Sequence, residues 1–311
     1  QQYSLEYRQP RGLFLSYPDR HYMEEILQNR SNPKIELIVV TDGESILGIG
    51  DQGIGGMQIP IAKLMVYSLC GGINPSKTLP IHLDVGTNNE ELLADPFYLG
   101  WRHKRIEGAE YDAFIEQFVS IVQKLFPKVF LHWEDLGRDN AHNILKKYQD
   151  KMCTFNDDIQ GTGVVALSAL LSGIKVTKTT LAEQRIINLG AGSAGGGIGN
   201  QIVEALCREG LSLKEAHERL WLIDRQGLLI EGDPTLTEAQ KPYARSRDEV
   251  ANWPLEKSGF ISLADTVNAI HPTVLIGCSA QGGAFTDEIF RIMAPHCERP
   301  IILPHTNPTE H

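Results

Sequence analysis

Disulfide frameworks, membrane spans and basic surfaces are what this sequence lacks. Its cysteines, Cys70, Cys153, Cys207, Cys278 and Cys297, are scattered and odd in number. That argues against a disulfide frame or a zinc site and fits buried, reduced thiols of a cytoplasmic protein. No apolar run reaches the ~18 residues that a membrane span needs, and no signal peptide is expected at the start. Acidic residues outnumber basic ones 39 to 29, a net charge of −10, which argues against nucleic acid or a membrane surface as partner. Low-complexity tracts and solenoid repeats are missing too. What remains is an ordinary composition, 42% hydrophobic over 311 residues, long enough to build two domains.

Short β-branched runs alternate with longer helical patterns, the mark of α/β architecture. "IELIVV" (35–40), "PIHLDV" (80–85) and "KVFLHWED" (128–135) are expected strands. "IPIAKLMVYSLC" (59–70) is an expected helix with Pro60 in its first turn. In "EYDAFIEQFVSIVQKLF" (110–126), Phe114, Phe118, Val122 and Phe126 recur every four residues and mark one buried face. "GVVALSALLSGI" (163–174) is too apolar for a surface helix and should be buried. Further strands are expected in "RIINL", "RLWLID" (219–224), "TVLIG" (273–277) and "PIILP" (300–304). The domain seam is placed near 155–165, dividing the chain into 1–157 and 158–311.

Two stretches fit G-x-G-x-x-G: "GIGDQG" (48–53) and "GAGSAG" (190–195). In the second, a strand runs into the glycines and a helix follows at once. Phosphates can then meet bare backbone at Gly190, Gly192, Ser193, Ala194 and Gly195 and lie on a helix N-terminus. The next strand ends in Asp224, placed for a ribose diol and unwelcoming to a 2′-phosphate; its neighbour Arg225 could accept one. The first stretch carries Asp51 inside the loop, which would repel phosphate, and is expected to be a tight turn with close backbone packing. Dinucleotide binding is therefore assigned to the second, with NAD over NADP.

Glu134 and Asp135 close a strand, and Asp157 and Asp158 follow after one helix. Carboxylates converging on one crevice call for a hard divalent cation such as Mg²⁺ or Mn²⁺. The plainer alternative is that Asp157 or Asp158 caps the next helix. Lys63 is set among apolar neighbours, with Tyr67 one turn on. A lysine so placed is expected to have a lowered pKa and to serve as a general base. Dinucleotide, metal and lysine together suggest oxidation of a hydroxy acid followed by loss of CO₂.

"VVTDGESILGIGDQGIGGMQIPIAKL", "LDVGTNN", "WED", "CTFNDDIQGT", "LGAGSAGGGIG" and "TNPT" resemble the malic enzymes and the related malolactic enzymes, along the whole chain. The resemblance implies an α/β protein of open parallel sheets, a catalytic domain followed by a Rossmann-type NAD-binding domain. It implies oxidative decarboxylation of L-malate to pyruvate with NAD and Mg²⁺ or Mn²⁺. The family's metal ligands fall on Glu134, Asp135 and Asp158, its catalytic lysine on Lys63, and the aspartate assisting that lysine on Asp157. Asn307 matches a substrate-contacting asparagine. Gln240 stands where NADP-using relatives tend to carry lysine. Ser45 stands where malic enzymes usually have an arginine that grips malate, a difference shared with malolactic enzymes, which release lactate. The family's general-acid tyrosine and later segments fall outside this sequence, so a fragment clipped at both ends is expected, with a catalytically silent NAD-binding fragment as a third reading. The full-length form is expected to be a homo-oligomer, a dimer or tetramer.

Overall fold

The computed structural model describes residues 11–30, 32–46, 49–257, 259–279 and 282–305. The chain divides into two compact units, Gln1–Asp157 and Asp158–His311.

Among the described residues of the first unit, five strands form one parallel sheet: β1 Leu13–Ser16, β2 Leu37–Thr41, β3 Thr78–Asp84, β4 Phe130–Trp133 and β5 Thr154–Asn156. Their order is β1-β3-β2-β4-β5, with Val40 opposite Ile81 on one side and Trp133 on the other. Every residue of "LIVVT" in β2 is buried, as expected of a central strand covered on both faces. The chain leaves β2 toward β3 and comes back on the opposite side for β4. The strand order thus reverses beside β2, and the carboxyl ends of β2 and β4 flank that reversal, where open α/β sheets form their ligand crevice. Helix α1, Gln58–Gly71, packs its buried Leu64 on Leu37 and Val39. Helix α2, Gly108–Leu125, buries Tyr111, Phe114, Ile115, Phe118, Val119 and Val122, the face its periodicity marks.

The second unit repeats the theme with β6 Ile186–Leu189, β7 Leu220–Asp224, β8 Gly227–Leu228, β9 Val274–Gly277 and β10 Ile301–Pro304, ordered β10-β9-β6-β7-β8. All pairings are parallel except β7 with the short β8. The reversal here falls beside β6, whose carboxyl end runs into Gly190. Helix α3, Thr162–Thr177, and helix α4, Ser193–Arg208, cross where Gly163 meets the Gly197 backbone so closely that a Cβ on either would collide. The α/β class of two open, largely parallel sheets is borne out.

Several expectations need correction. Helix α3 is not a buried helix: Gly163, Ala166, Leu170 and Ile174 enter the core, while Val164, Val165, Leu171 and Val176 stay exposed. Residues 157–177 also form one helical stretch long and apolar enough, by length and composition only, to cross a membrane. Its buried stripe packs with Ile198 and Ile202 of α4, as a core helix does. The five cysteines are free, but Cys70 and Cys153 are exposed and the others half-buried. A wide π-type turn, Asp157–Gly161, precedes α3, so Gly161 and not Asp157 or Asp158 stands at the N-cap position.

Candidate active site

The side chains that could do chemistry gather at the carboxyl end of β4. Residues alternate across a strand, so His132 and Glu134 share a face. Glu134, at 3% exposure, and Asp135, at 5%, follow directly. Asp135 turns the chain out of the sheet with a left-handed φ of 52°, which a short polar side chain tolerates best. The Ser45 N–H donates to the Asp135 carbonyl at 3.1 Å, so the loop after β2 and the end of β4 meet at the strand-order reversal.

Lys63 extends from α1 into this cluster. Its ammonium lies 3.1 Å from Glu134 Oε1 and donates to Asp157 Oδ2. The charge state expected from its apolar neighbours is overturned. Burial does push the ammonium pKa down, but the charge of Glu134 and the bond to Asp157 outweigh it, and the pKa lies above the ordinary lysine range. Lys63 is a paired cation here. Tyr67, one turn along α1, bonds His132 Nδ1 at 2.9 Å, and His132 Nε2 bonds Glu134 Oε2 at 2.6 Å. His132 was missed in the sequence, although its place two residues before Glu134 announces the shared face.

The donor chemistry suits a hard divalent cation. Glu134, Asp135 and Asp157 bring three carboxylates against one lysine ammonium, and two of them are buried. Carboxylate oxygens of Glu134 and Asp157 lie within 4.8 Å of one another. Asp158, the first residue of the second unit, is half-buried on the wide turn. Asn307 lies outside the described residues. Ser45 is exposed.

Behind the site, Arg105 ties the loops together. Its Nε and Nη2 bond Asp51 Oδ2 and Oδ1 at 2.9 and 2.8 Å, and Nη2 also reaches the Asp42 carbonyl at 3.0 Å. Asp51 accepts the Gly53 and Asn88 N–H groups as well. In the same loop Gly56 packs on Gly43, and a Cβ at Gly53 would strike the Tyr98 hydroxyl. The described part of the first glycine stretch is thus close-packed backbone around an ion pair, as expected. Burial beside Asp42 pushes the Glu44 carboxyl up to about 7.

In the second unit Gly190 follows β6 with φ 110°, open to glycine alone among common residues. A Cβ at Gly195 would run into the Gly190 carbonyl oxygen, and one at Gly197 into that of Ile159. Helix α4 begins at Ser193 with no side chain capping its N-terminus. The result is a bare-backbone cradle at a helix N-terminus, which fits a pyrophosphate. Asp224 ends β7. Gln240, buried, donates to Asp224 Oδ2 at 2.8 Å and to the Ala191 carbonyl at 3.0 Å. It thereby braces loop and carboxylate together, while Arg225 is exposed.

An α/β chain with this glycine cradle in one unit and a lysine–carboxylate cluster in the other fits a dinucleotide-dependent enzyme class. Residues 1–149 match the malic enzyme N-terminal domain and residues 159–311 the malic enzyme NAD-binding domain. The chain belongs to the malic enzyme family. It is 52% identical to NAD-dependent malic enzyme 3 of Bacillus subtilis over 99% of its own length and 55% of that protein. With NAD-dependent malic enzyme of Pseudomonas savastanoi pv. phaseolicola, identity is 50% over 99% of this chain and 55% of the relative. The chain therefore spans about half the length of the curated relatives it matches. Among solved structures, Entamoeba histolytica malic enzyme superposes with a TM-score of 0.60 at 22% identity, over 93% of this chain and 55% of that one. The NAD-dependent malic enzyme of Thermotoga maritima gives 0.59 at 23%, over 94% and 64%. At these identities the structures support the fold alone.

Proposed function

We propose that this chain carries the malate- and cofactor-handling machinery of an NAD-dependent, divalent-metal-dependent oxidative decarboxylation of L-malate to pyruvate and CO₂. The observation that carries the reading is the Lys63–Asp157–Glu134 cluster at the sheet's strand-order reversal. It occurs in a chain that also holds the glycine cradle and is about 50% identical to NAD-dependent malic enzymes.

Glu134, Asp135 and Asp158 would hold the cation, and Gly190 to Gly195 with Asp224 the dinucleotide. When bound, the dinucleotide would supply a hydride acceptor for malate C2 and the cation a Lewis acid for the resulting ketone. Asp157, already bonded to Lys63, is the carboxylate that can draw off the ammonium proton. The freed amine then accepts the proton of the C2 hydroxyl. Asp224, braced by Gln240 at the end of β7, would face the ribose diol, and its carboxylate favours NAD over NADP. Ser45 brings no charge to the substrate, so malate's carboxylate must be gripped by other groups.

Incubation with malate, NAD⁺ and Mn²⁺ tests the reading. Pyruvate and NADH in equal amounts are expected. Lactate without net NADH would assign the malolactic outcome instead, and NAD binding without any product would leave a silent binding fragment. Gly195→Ala should weaken NAD affinity about tenfold, ~1.4 kcal/mol, in a calorimetric titration, because its methyl group displaces the Gly190 carbonyl. Unchanged affinity would mean that the dinucleotide does not use this loop.

A further inference from the structure

The hydrogen-bonded chain from Tyr67 through His132 to Glu134 has a direction. The Glu134 carboxylate can only accept, so Nε2 carries the proton of the neutral ring, and Nδ1 is left to accept from the Tyr67 hydroxyl. The ring proton then resides on Nε2 and is directed at Glu134 Oε2, 2.6 Å away. The imidazole has little freedom to do otherwise. It is 1% exposed, and the rings of Tyr67 and Phe155 stand edge-on to it at 5.7 and 5.3 Å. Neighbouring strands pin the backbone, with His132 opposite Val39 of β2 and Phe155 of β5.

We infer that His132 is a positioning residue: its Nε2–H holds Glu134 Oε2, fixes the carboxylate's orientation and favours Oε1 for a cation, with Tyr67 fixing the tautomer that makes this possible. The inference rests on Glu134 being a metal ligand. It goes further in saying how that ligand is aimed. Oε1 is also the oxygen 3.1 Å from the Lys63 ammonium. With one lone pair of Oε2 engaged and the carboxylate held in place, Oε1 is the more available oxygen, the same atom that Lys63 contacts. Removing the histidine would let the carboxylate rotate, chelate through both oxygens or turn wholly to Lys63. Groups that orient a ligand in this way change metal affinity by roughly 10- to 100-fold when replaced. The link also joins α1 to β4 twice, through Lys63 and through Tyr67, so both residues of the helix bear on the same carboxylate.

Mn²⁺ binding by the 311-residue chain, followed by the paramagnetic resonance of the free ion, tests this without any turnover. His132→Leu should weaken binding by roughly 10- to 100-fold. His132→Gln, whose amide can again donate to Oε2, should restore it to within about threefold of the parent. Glu134→Gln separates the two claims. If it loses Mn²⁺ while His132→Leu retains parental affinity, the positioning role is refuted and the metal reading survives. If Glu134→Gln itself binds like the parent, the metal reading falls and this inference with it. A second measurement needs no variant at the histidine: ¹⁵N shifts of the metal-free protein should place the ring proton on Nε2, with that preference weakened in Tyr67→Phe. A proton found on Nδ1 overturns the inference.

Discussion

Under the proposed reaction, replacing Lys63 with alanine is expected to lower the rate of malate oxidation by roughly 10²- to 10⁴-fold, the range a positioned general acid or base supplies. NAD affinity should stay within about twofold of the parent, because the cradle at Gly190 to Gly195 is formed wholly within the second unit. Position and partners single out this lysine. Lys63 reaches both Glu134 and Asp157 and is the lysine that the described residues place in this cluster. Held by two carboxylates, it keeps its proton more firmly than an ordinary lysine. It becomes a base only when that proton has somewhere to go, and Asp157 is already bonded to it. The pair should therefore fail as a unit. Asp157→Asn alone should be strongly impaired, yet should cost little more once Lys63 is already alanine, since groups that act together are far from additive. Steady-state rates of the two single variants and the double variant decide the matter. If Lys63→Ala keeps more than about a tenth of the parental rate, the lysine is not the base.

Much of this architecture was legible because strands buried on both faces must be apolar throughout. "LIVVT" and "IINL" can hardly be anything else between glycine and polar breaks. The cofactor cradle was legible for a similar reason: only glycine tolerates Gly190's backbone and Gly195's closeness to it. The burial of helix α3 was misjudged because composition tells what a residue prefers and not what packs over it. Val164, Val165 and Val176 are as apolar as Ala166 and Leu170, yet only the latter two meet α4 and the sheet. Lys63 was singled out correctly for its surroundings in sequence, while its charge state depended on Glu134 and Asp157, 71 and 94 positions away. His132 carried a readable signal in the two-residue strand period. The Arg105 cluster carried none, since its partners lie 54 and 63 residues away.

Arg105→Met is expected to damage the first unit severely, costing about 3–5 kcal/mol of stability at neutral pH, as loss of one member of a buried ion pair does. The arginine side chain is 3% exposed, that of Asp42 is wholly buried and that of Asp51 15% exposed. Methionine fills much of the volume, so the loss falls on charge and hydrogen bonding. Asp42 would keep the Tyr111 hydroxyl at 2.7 Å and Asp51 its backbone donors, but neither would retain a countercharge. The effect should depend on pH, with a definite sign. Burial raises the Asp51 pKa, but the bonds to Arg105 and its charge reverse this, and the folded pKa lies below the ordinary value of 3.8. A depressed carboxyl contributes stability above its unfolded pKa and loses it as pH falls through the folded value. In Arg105→Met that contribution disappears. The orphaned carboxylates are relieved by protonation instead, so the variant's deficit should be widest near pH 7 and narrow as pH falls toward 4. Asp42, already held above its ordinary range by burial, would gain most from that relief. Urea unfolding of parent and variant at the two pH values measures the gap directly. An equal deficit at both would mean that lost packing, rather than two stranded charges, is what the arginine prevents.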